Sequence, residues 1–206
     1  MNVYIVGGGD GAYRRLFAEL GFLITSSMQK ADLVCFTGGA DVSPSYYGAE
    51  KHETTWSDKH RDEEEASVFE DALFREIPMV GICRGGQFLN VMSGGEMYQD
   101  VNKHAIHGTH EITDLQTGEK VQVTSTHHQM MKPSPRGLLV ASSGLGGYRE
   151  WWEGGVFARE QSQEDVEVVY YEHTNALCFQ PHPEFAGYPA MQEYFASLIR
   201  RFLIKE

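Results

Sequence analysis

The feature that most constrains the fold is a short apolar segment that leads through a glycine-flanked cysteine into a helical pattern. Residues 78–83 have the composition of a strand buried on both faces, and Gly81-Ile82-Cys83-Arg84-Gly85 stands at its end. A Cβ two positions before or after the cysteine would collide with a tight turn, which explains the two glycines. The segment therefore predicts a strand–turn–helix unit that raises the Cys83 side chain above a sheet, as a G-x-S-x-G turn does for a serine.

The rest of the chain predicts an α/β fold. The first half alternates strand and helix patterns, which is typical of parallel β–α–β units with right-handed crossovers. The second half has short strand patterns separated by turn residues, which favours antiparallel pairing. These strand patterns cover residues 120–125, 138–141, 156–158, 166–171 and 176–180. We expect a single domain over residues 1–206, with a mostly parallel central sheet flanked by helices and a smaller antiparallel sheet in the second half.

Charge and composition exclude several classes of partner. The 17 Lys and Arg residues stand against 29 Asp and Glu residues, and the formal net charge is −12. A chain of that sign is repelled by nucleic acid and by an anionic membrane surface. No apolar stretch approaches the roughly 20 residues of a membrane span, and the first residues lack the pattern of a signal peptide. The three cysteines match no zinc ribbon. We therefore expect a cytoplasmic protein that binds neither nucleic acid nor membrane.

A candidate base follows another predicted strand, in Gln180-Pro181-His182-Pro183-Glu184. His182 and Glu184 are two residues apart, so in an extended backbone, which Pro183 favours for His182, they project to the same side. A carboxylate there can fix the tautomer of the imidazole and stabilise its charged form. Alone, Cys83 could be a structural cysteine and His182 a surface histidine between turn-forming prolines. Their joint presence favours a nucleophile–base–orienter set, with the thiolate stabilised at a helix N-terminus.

These residues resemble the class I glutamine amidotransferase-like superfamily and, within it, the gamma-glutamyl-gamma-aminobutyrate hydrolase group. Cys83 and the pair His182 and Glu184 match the Cys-His-Glu triad of that superfamily. Four other stretches carry the narrower resemblance: residues 37–48, 61–65, 77–101 and 123–129. Thr37 and Thr124 depart from the pattern of the group, which has Pro and Asn there, but neither departure removes a reacting group.

The resemblance implies hydrolysis of a γ-glutamyl amide, from glutamine or a γ-glutamyl amine, through a glutamyl thioester. It makes Cys83 the nucleophile, His182 the base and then the acid, and Glu184 the residue that orients His182. It implies an oxyanion hole formed by two backbone amides, those of Gly39 and Arg84. It also implies four substrate-binding residues, which are Gln87, Ser125, Thr126 and His127. No metal or organic cofactor is required by this chemistry.

Two alternatives remain open at this point. The first is a glutaminase subunit that delivers ammonia to a partner synthetase, which the compact size of the chain favours. The second is a catalytically inactive binding module on the same fold, although a chain that keeps Cys83, His182 and Glu184 argues against it. The expected partners are therefore a small-molecule substrate and either a synthetase or a second copy of the chain in a homodimer.

Three histidines recur at every third position, at His104, His107 and His110. A metal site needs convergent ligands and usually a carboxylate or thiolate as well. Because the residues around Gly108 look like an exposed loop, we expect ordinary surface histidines and no metal site.

Three other features have simple structural interpretations. The acidic run at residues 62–65 is expected to be the solvated start of a helix, where the helix dipole favours negative charge. The adjacent Trp151 and Trp152 are expected to lie in the core or to contact a partner, with the rim of the pocket as the alternative. The glycine-rich residues 7–11 are expected to form a tight turn between a strand and a helix, since no nucleotide-binding fingerprint follows them.

Overall fold

Fourteen strands and four α-helices make up the protein in a computed structural model that describes residues 1–8 and 11–204. In chain order the strands are β1 Asn2–Ile5, β2 Leu23–Thr25, β3 Leu33–Phe36, β4 Met79–Ile82, β5 Glu96–Tyr98, β6 Asp100–Val101, β7 Ala105–Asp114, β8 Lys120–Thr126, β9 Met130–Lys132, β10 Leu138–Ser143, β11 Gly147–Glu153, β12 Val156–Ser162, β13 Asp165–Tyr171 and β14 Ala176–Phe179. The helices are α1 Gly11–Glu19, α2 Lys59–Phe74, α3 Arg84–Met92 and α4 Pro189–Phe202.

A nine-stranded sheet runs through both halves of the chain in the order β2-β1-β3-β4-β14-β13-β10-β7-β8. The strands from β2 to β14 pair in parallel, and those from β14 to β8 pair antiparallel. A smaller antiparallel sheet, β12-β11-β6, lies apart from it, and β5 pairs with β9. The expected α/β class is confirmed. Most of the antiparallel strands, however, extend the central sheet, because β14 pairs with β4 on one side and with β13 on the other.

The helices cover the parallel strands from both faces. Side chains of α1 and α4 join one core cluster, and those of α2 and α3 join the other. Strand β3 is apolar throughout because both of its faces are buried. Leu33 and Cys35 pack into the first cluster, while Val34 and Phe36 pack into the second. Successive side chains of a strand point to opposite faces, so a central strand between two helix layers buries all of them.

One sequence expectation about local structure is wrong, and a second concerns residues that are only partly described. Strand β7 occupies residues that were expected to form an exposed loop. The glycine-rich turn falls partly on Gly9 and Asp10, which lie outside the described residues; before them Gly7 has a φ of 67°. Of the helices in the described parts of the chain, none is long and apolar enough to cross a membrane.

The topology fixes where a site can form. Strands β3, β4 and β14 are adjacent and parallel, so the segments that follow them emerge at one edge of the sheet. Those segments contain Gly38, Cys83 and His182. Ligands in parallel α/β sheets bind at this edge, beyond the carboxyl ends of the strands.

Candidate active site

Cys83 occupies the turn between β4 and α3 in a strained conformation. Its φ is 51° and its ψ is −114°, a region that residues with a side chain rarely adopt. Two glycines make the turn possible: a Cβ on Gly81 would overlap the backbone of Gly85, and a Cβ on Gly85 would overlap the backbone of Phe36. Such strain costs on the order of 1–3 kcal/mol and is typical of functional sites. The predicted strand–turn–helix unit is therefore present.

His182 and Glu184 form a close pair beside Cys83. The His182 Nδ1 lies 2.6 Å from Glu184 Oε1, which leaves Nε2 free to face the thiol. The two sides of the site meet at Gly38, where an added Cβ would lie 3.1 Å from His182 Cε1 and 3.7 Å from Cys83 Cβ. The structure thus brings together the three side chains that the sequence singled out.

The electrostatics of the site favour a charged imidazole. Burial lowers the pKa of His182, but the charge of Cys83, a hydrogen bond with Cys83 and the contact with Glu184 outweigh it and raise that pKa to about 10. At neutral pH His182 is therefore protonated, with Nδ1–H donated to Glu184 and Nε2–H available to the sulfur. This arrangement can stabilise a thiolate and later supply a proton to a leaving group.

The backbone of His182 is held by Thr124, a residue of β8. The His182 amide donates a hydrogen bond of 2.8 Å to Thr124 Oγ1. Sequence reasoning noted Thr124 only as a departure from a family pattern, because nothing local indicates that β8 lies beside residue 182. Its hydroxyl fixes the segment that carries His182.

Tyr13 is a second residue that sequence reasoning missed. Its hydroxyl accepts a 2.9 Å hydrogen bond from the Gly38 amide and bonds to Glu184, linking the loop after β3 to the carboxylate. Burial and the negative charge of Glu184 raise the pKa of Tyr13, so the phenol stays protonated and donates to the carboxylate. The available signal was a hydroxyl within the apolar stripe of α1.

The acidic helix start is partly buried, contrary to the expected solvated run. Asp62 is 0% exposed and Glu65 is 3% exposed, whereas Glu63 and Glu64 are exposed. Both buried carboxylates pair with the guanidinium of Arg84, which is also buried. The helix itself begins earlier, at Lys59, with Asp58 as its N-cap. The positive charge of Arg84 keeps two carboxylates in the core, since buried charges must be paired.

Arg61 connects this ion-pair cluster to the loop after β3. Its Nε bonds to Glu65 at 2.8 Å, and its two terminal nitrogens donate to the carbonyl oxygens of Gly38 and Thr37, each at 2.9 Å. Gly39 has a φ of 139°, and a Cβ there would overlap the Arg61 guanidinium. The loop that carries the Gly39 amide is therefore held by α2.

The two amides expected to bind an oxyanion lie next to the site. Arg84 is the first residue of α3, where backbone amides have no acceptor within the helix. Gly39 follows Gly38, where an added Cβ would lie within 3.7 Å of both His182 and Cys83.

Two glutamine side chains, those of Gln180 and Gln87, lie behind the thiol. Gln180 Nε2 is 3.8 Å from Cys83 Sγ, and its Oε1 accepts a 3.2 Å hydrogen bond from Gln87. Gln87 is 3% exposed and also donates to the carbonyl of Gln129 at 3.1 Å. Gln87 was expected to bind substrate, whereas Gln180 was missed, although it precedes His182 by only two residues. Both are held by contacts within the protein.

The remaining candidate substrate residues differ in exposure. Ser125 is 0% exposed, and its hydroxyl donates to the His104 carbonyl at 2.5 Å. His127 is buried, with Nδ1 2.8 Å from the carbonyl oxygen of Gln129, while Thr126 is half-buried. Burial and the nearby His104 lower the pKa of His127, so its ring is neutral. Ser125 and His127 are thus bonded within the protein interior.

Two of the three histidines that were expected to lie on the surface, His104 and His110, are buried. His104 is 1% exposed and His110 is 5% exposed, and both lie against Glu167 of β13. The side chain of His107 lies outside the described residues. Because β7 is a strand of the central sheet, its inward side chains are buried.

The two tryptophans are half-buried on β11, in the smaller antiparallel sheet. Trp151 packs edge-on against Tyr98 with ring centroids 5.1 Å apart, and Lys132 lies over its ring. Trp152 contacts Phe157 in the same way, at 5.7 Å. Trp151 thus packs against the second core cluster, in line with one of the expected positions, whereas Trp152 lies against an exposed phenylalanine.

Comparison with known proteins gives a consistent family. Residues 21–154, which include Cys83, match the family described as Peptidase C26. The glutamine amidotransferase-like protein YvdE of Lactococcus lactis subsp. lactis is 31% identical over 180 residues, which cover 78% of this chain and 69% of YvdE. The carbamoyl phosphate synthase small chain of Rhodopirellula baltica is 31% identical over 126 residues, covering 61% of this chain and 28% of that one.

Solved structures agree on the fold. The structure of PurLQS from Thermotoga maritima superimposes with a TM-score of 0.63 at 16% sequence identity, covering 96% of each chain. At this identity the likeness establishes a shared architecture.

Proposed function

The chain belongs to the peptidase C26 family, and on this premise we propose that it is a cysteine-dependent hydrolase of γ-glutamyl amides. The observation that carries the proposal is the contact of His182 with both Glu184 and Cys83, with the sulfur on a strained turn at a helix N-terminus. The family membership supports the same type of chemistry. We assign this activity to one glutamine amidotransferase-like domain formed by residues 1–206.

In the proposed reaction the Cys83 thiolate attacks the side-chain carbonyl carbon of the glutamyl group. The negative oxygen that forms is stabilised by the amides of Gly39 and Arg84, and one such donor contributes about 3 kcal/mol. His182 gives its Nε2 proton to the departing ammonia or amine, and the C–N bond breaks to leave a glutamyl thioester. His182 then takes a proton from water, whose oxygen attacks the thioester, and glutamate leaves with restoration of the thiolate.

The substrate of this proposal binds in a glutamyl pocket beside the thiol. We assign Gln87, Ser125, Thr126 and His127 to the glutamyl pocket. Gln87 acts in part through Gln180, whose amide nitrogen lies next to the sulfur. Because Ser125 and His127 are buried and bonded to backbone carbonyls, they shape the pocket by fixing the backbone after β8.

A substrate panel tests the proposal. Purified protein incubated with glutamine and with γ-glutamyl amines should release glutamate, measured together with ammonia, and Cys83→Ala should abolish the release. Cys178→Ala is the matched control, because it removes another buried thiol, from β14, and should retain most of the activity. Glutamate release that survives in Cys83→Ala would disprove the proposed nucleophile.

A second candidate is a glutaminase subunit that delivers ammonia to a synthetase. The similarity to a carbamoyl phosphate synthase small chain supports it. This candidate predicts that the isolated chain is slow, and that a synthetase recovered with it from the source cell raises its glutaminase rate at least tenfold. Full activity of the isolated chain, as monomer or homodimer, would favour the free-standing hydrolase.

An inactive binding module is the third candidate, and labelling of Cys83 distinguishes it. A glutamine-like chloroketone should alkylate Cys83 much faster than Cys35 and Cys178, which are 0% exposed. Equal, slow labelling of all three would favour the inactive module.

A further inference from the structure

A second group of titratable side chains is buried apart from the Cys83 thiol. We call it the histidine cluster; none of its members is more than 5% exposed, and they are His104, His110, His127, Asp165 and Glu167. They come from three places in the fold: β7 and the residue before it, the residue after β8, and strand β13. Five ionisable groups buried together need an explanation, since burial of a charged group is unfavourable in free energy unless the group is paired or binds a metal.

Three of these side chains converge on one point. A ring nitrogen of His104, a ring nitrogen of His127 and a carboxylate oxygen of Glu167 lie within 4.8 Å of one another. The ring centroids of His104 and His127 are 4.6 Å apart. Tetrahedral zinc with bonds of about 2.0–2.1 Å places its ligands about 3.4 Å apart, so shifts of about 1 Å would close the site.

The hydrogen bonds of His127 prepare it as a ligand. Its Nδ1 lies 2.8 Å from the Gln129 carbonyl oxygen, which can only accept, so Nδ1 carries the hydrogen. The Nε2 atom therefore presents a lone pair, and among the described residues it has no hydrogen-bond partner. An unpaired buried acceptor costs about 1–3 kcal/mol. A backbone carbonyl that fixes the tautomer in this way is typical of metal-binding histidines.

The other two members of the cluster support the first three. His110 Nε2 lies 2.7 Å from Glu167 Oε1, and Asp165 Oδ2 lies 3.2 Å from His104 Nε2. Within the described ranges, Glu167 Oε2 and His104 Nδ1 have no hydrogen-bond partner. Contacts of this kind orient ligands from outside the metal shell.

We propose that His104, His127 and Glu167 bind one divalent zinc ion, with His110 and Asp165 orienting the ligands. Two imidazoles and one carboxylate suit zinc better than magnesium or calcium, which prefer oxygen ligands throughout. Water completes the fourth position. No step of the proposed hydrolase reaction passes through the metal; the two sites share only His127, which is assigned above to fixing the backbone beside the glutamyl pocket.

The metal would join three segments of the sheet close to His182, the proposed general base. His127 follows β8, and Thr124 of the same strand holds the His182 amide. A metal that fixes the end of β8 against β13 therefore stiffens the support of His182. We expect zinc to raise the thermal stability of the protein.

The test uses the full chain with Cys83→Ser, which removes a thiol–imidazole pair that could itself bind zinc. After treatment with EDTA and dialysis against zinc, elemental analysis should give one zinc per chain, and the melting temperature should rise. Cobalt in place of zinc should give the visible absorption bands of a tetrahedral site. In the same background, Glu167→Gln should weaken zinc binding at least tenfold, while His60→Ala, which removes an exposed histidine, should not change it.

Two results would overturn the proposal. One is a folded Cys83→Ser protein, verified by circular dichroism, that retains less than a tenth of an equivalent of zinc. The other is zinc binding that Glu167→Gln and His127→Ala both leave unchanged in folded protein, which would locate the ion elsewhere. The same measurements do not depend on glutamate release, so failure of the zinc site and failure of the proposed function are distinguishable.

Discussion

The backbone of Cys83 holds a conformation that a non-glycine residue reaches only at a cost in free energy, and its neighbours make that conformation attainable. Gly85 sits against the Phe36 backbone with no room for a Cβ. The sequence predicted this turn because its requirement is local: two glycines at fixed positions around one cysteine. Tyr13, Thr124 and Gln180 could not be found in this way, since their partners are distant in sequence.

Replacing Gly85 with alanine should therefore disrupt the turn. The new Cβ would overlap the Phe36 backbone, and we expect a loss of about 3 kcal/mol or more in the free energy of unfolding, together with loss of glutamate release. Urea unfolding monitored by circular dichroism measures the effect. Gly144→Ala is the control, because a Cβ at Gly144 meets nothing within 4 Å and should change stability little. Equal stability of the two variants would contradict the argument.

The raised pKa of His182 predicts how the site responds to alkali. A raised pKa in the folded state contributes stability that is fully present below the ordinary value of 6.5 and is lost as the pH rises through about 10. Activity that depends on the imidazolium should decline over the same upper range. Glu184→Gln removes one cause of the raised pKa, so its decline should begin at lower pH, with a rate at neutral pH reduced about 100-fold. Rate profiles between pH 6 and 11 measure both effects, and identical alkaline limbs would contradict the role of Glu184.

At the scale of single elements, helix α2 shows what a sequence pattern can and cannot reveal. The acidic run correctly indicated a helix start nearby, but it gave no sign that Asp62 and Glu65 face inward. Their partner Arg84 lies on another helix, beyond a strand, so only the tertiary structure shows the pairing. The helix thereby holds the turn after Cys83 and, through Arg61, the loop that carries Gly39.

Neighbouring carboxylates of α2 should respond very differently to mutation. Asp62→Ala leaves Arg84 with one of its two partners and removes an acceptor for the Ser43 amide, so we expect a loss of about 3–5 kcal/mol. Glu63→Ala is the matched control on the exposed side of the same turn and should change stability by about 0.5 kcal/mol or less. Equilibrium unfolding of both variants decides the matter. Similar effects would show that burial of Asp62 is unimportant.

At the scale of the whole molecule, strand β7 explains the main errors of sequence interpretation. Its inward residues are His110, Ile112 and Asp114, and two of these three are polar. Alternation of apolar and polar residues was therefore hidden, and the segment resembled a loop. The partners that make burial tolerable lie 57 to 87 residues away, on β13 and α4. The fold class could be predicted because it depends on local patterns, whereas this buried polar network could not.

Asp114 joins the antiparallel half of the sheet to the last helix. It accepts hydrogen bonds from Tyr194 and Arg201 of α4, at 2.9 and 2.6 Å. Burial raises its pKa, but the bonds from Arg201 and neighbouring groups outweigh burial and lower that pKa to about 2. The stability from this contact is therefore present above the ordinary value of 3.8 and lost as the pH falls through about 2.

Asp114→Asn should weaken this attachment of α4. The loss of charge-assisted hydrogen bonds should cost about 1.5–3 kcal/mol at pH 7, and the cost should shrink towards pH 2. Unfolding curves at pH 7, 4 and 2.5 measure it. Glu111→Gln, on the same strand with an exposed partner in Lys120, is the control and should show little change. A cost independent of pH would argue against the charged contact.

The position of β14 beside β4 has a consequence for how such chains can vary. The sulfur follows one strand and the imidazole follows its hydrogen-bonded neighbour, so their separation is set by an interstrand spacing of about 4.8 Å. The chain between Gln87 and Gln180, which are 93 positions apart, could acquire new loops without moving either group, provided that β14 keeps its place beside β4 and Thr124 stays against the His182 amide. Variation in the loops that join the strands is thereby separated from the spacing between Cys83 and His182.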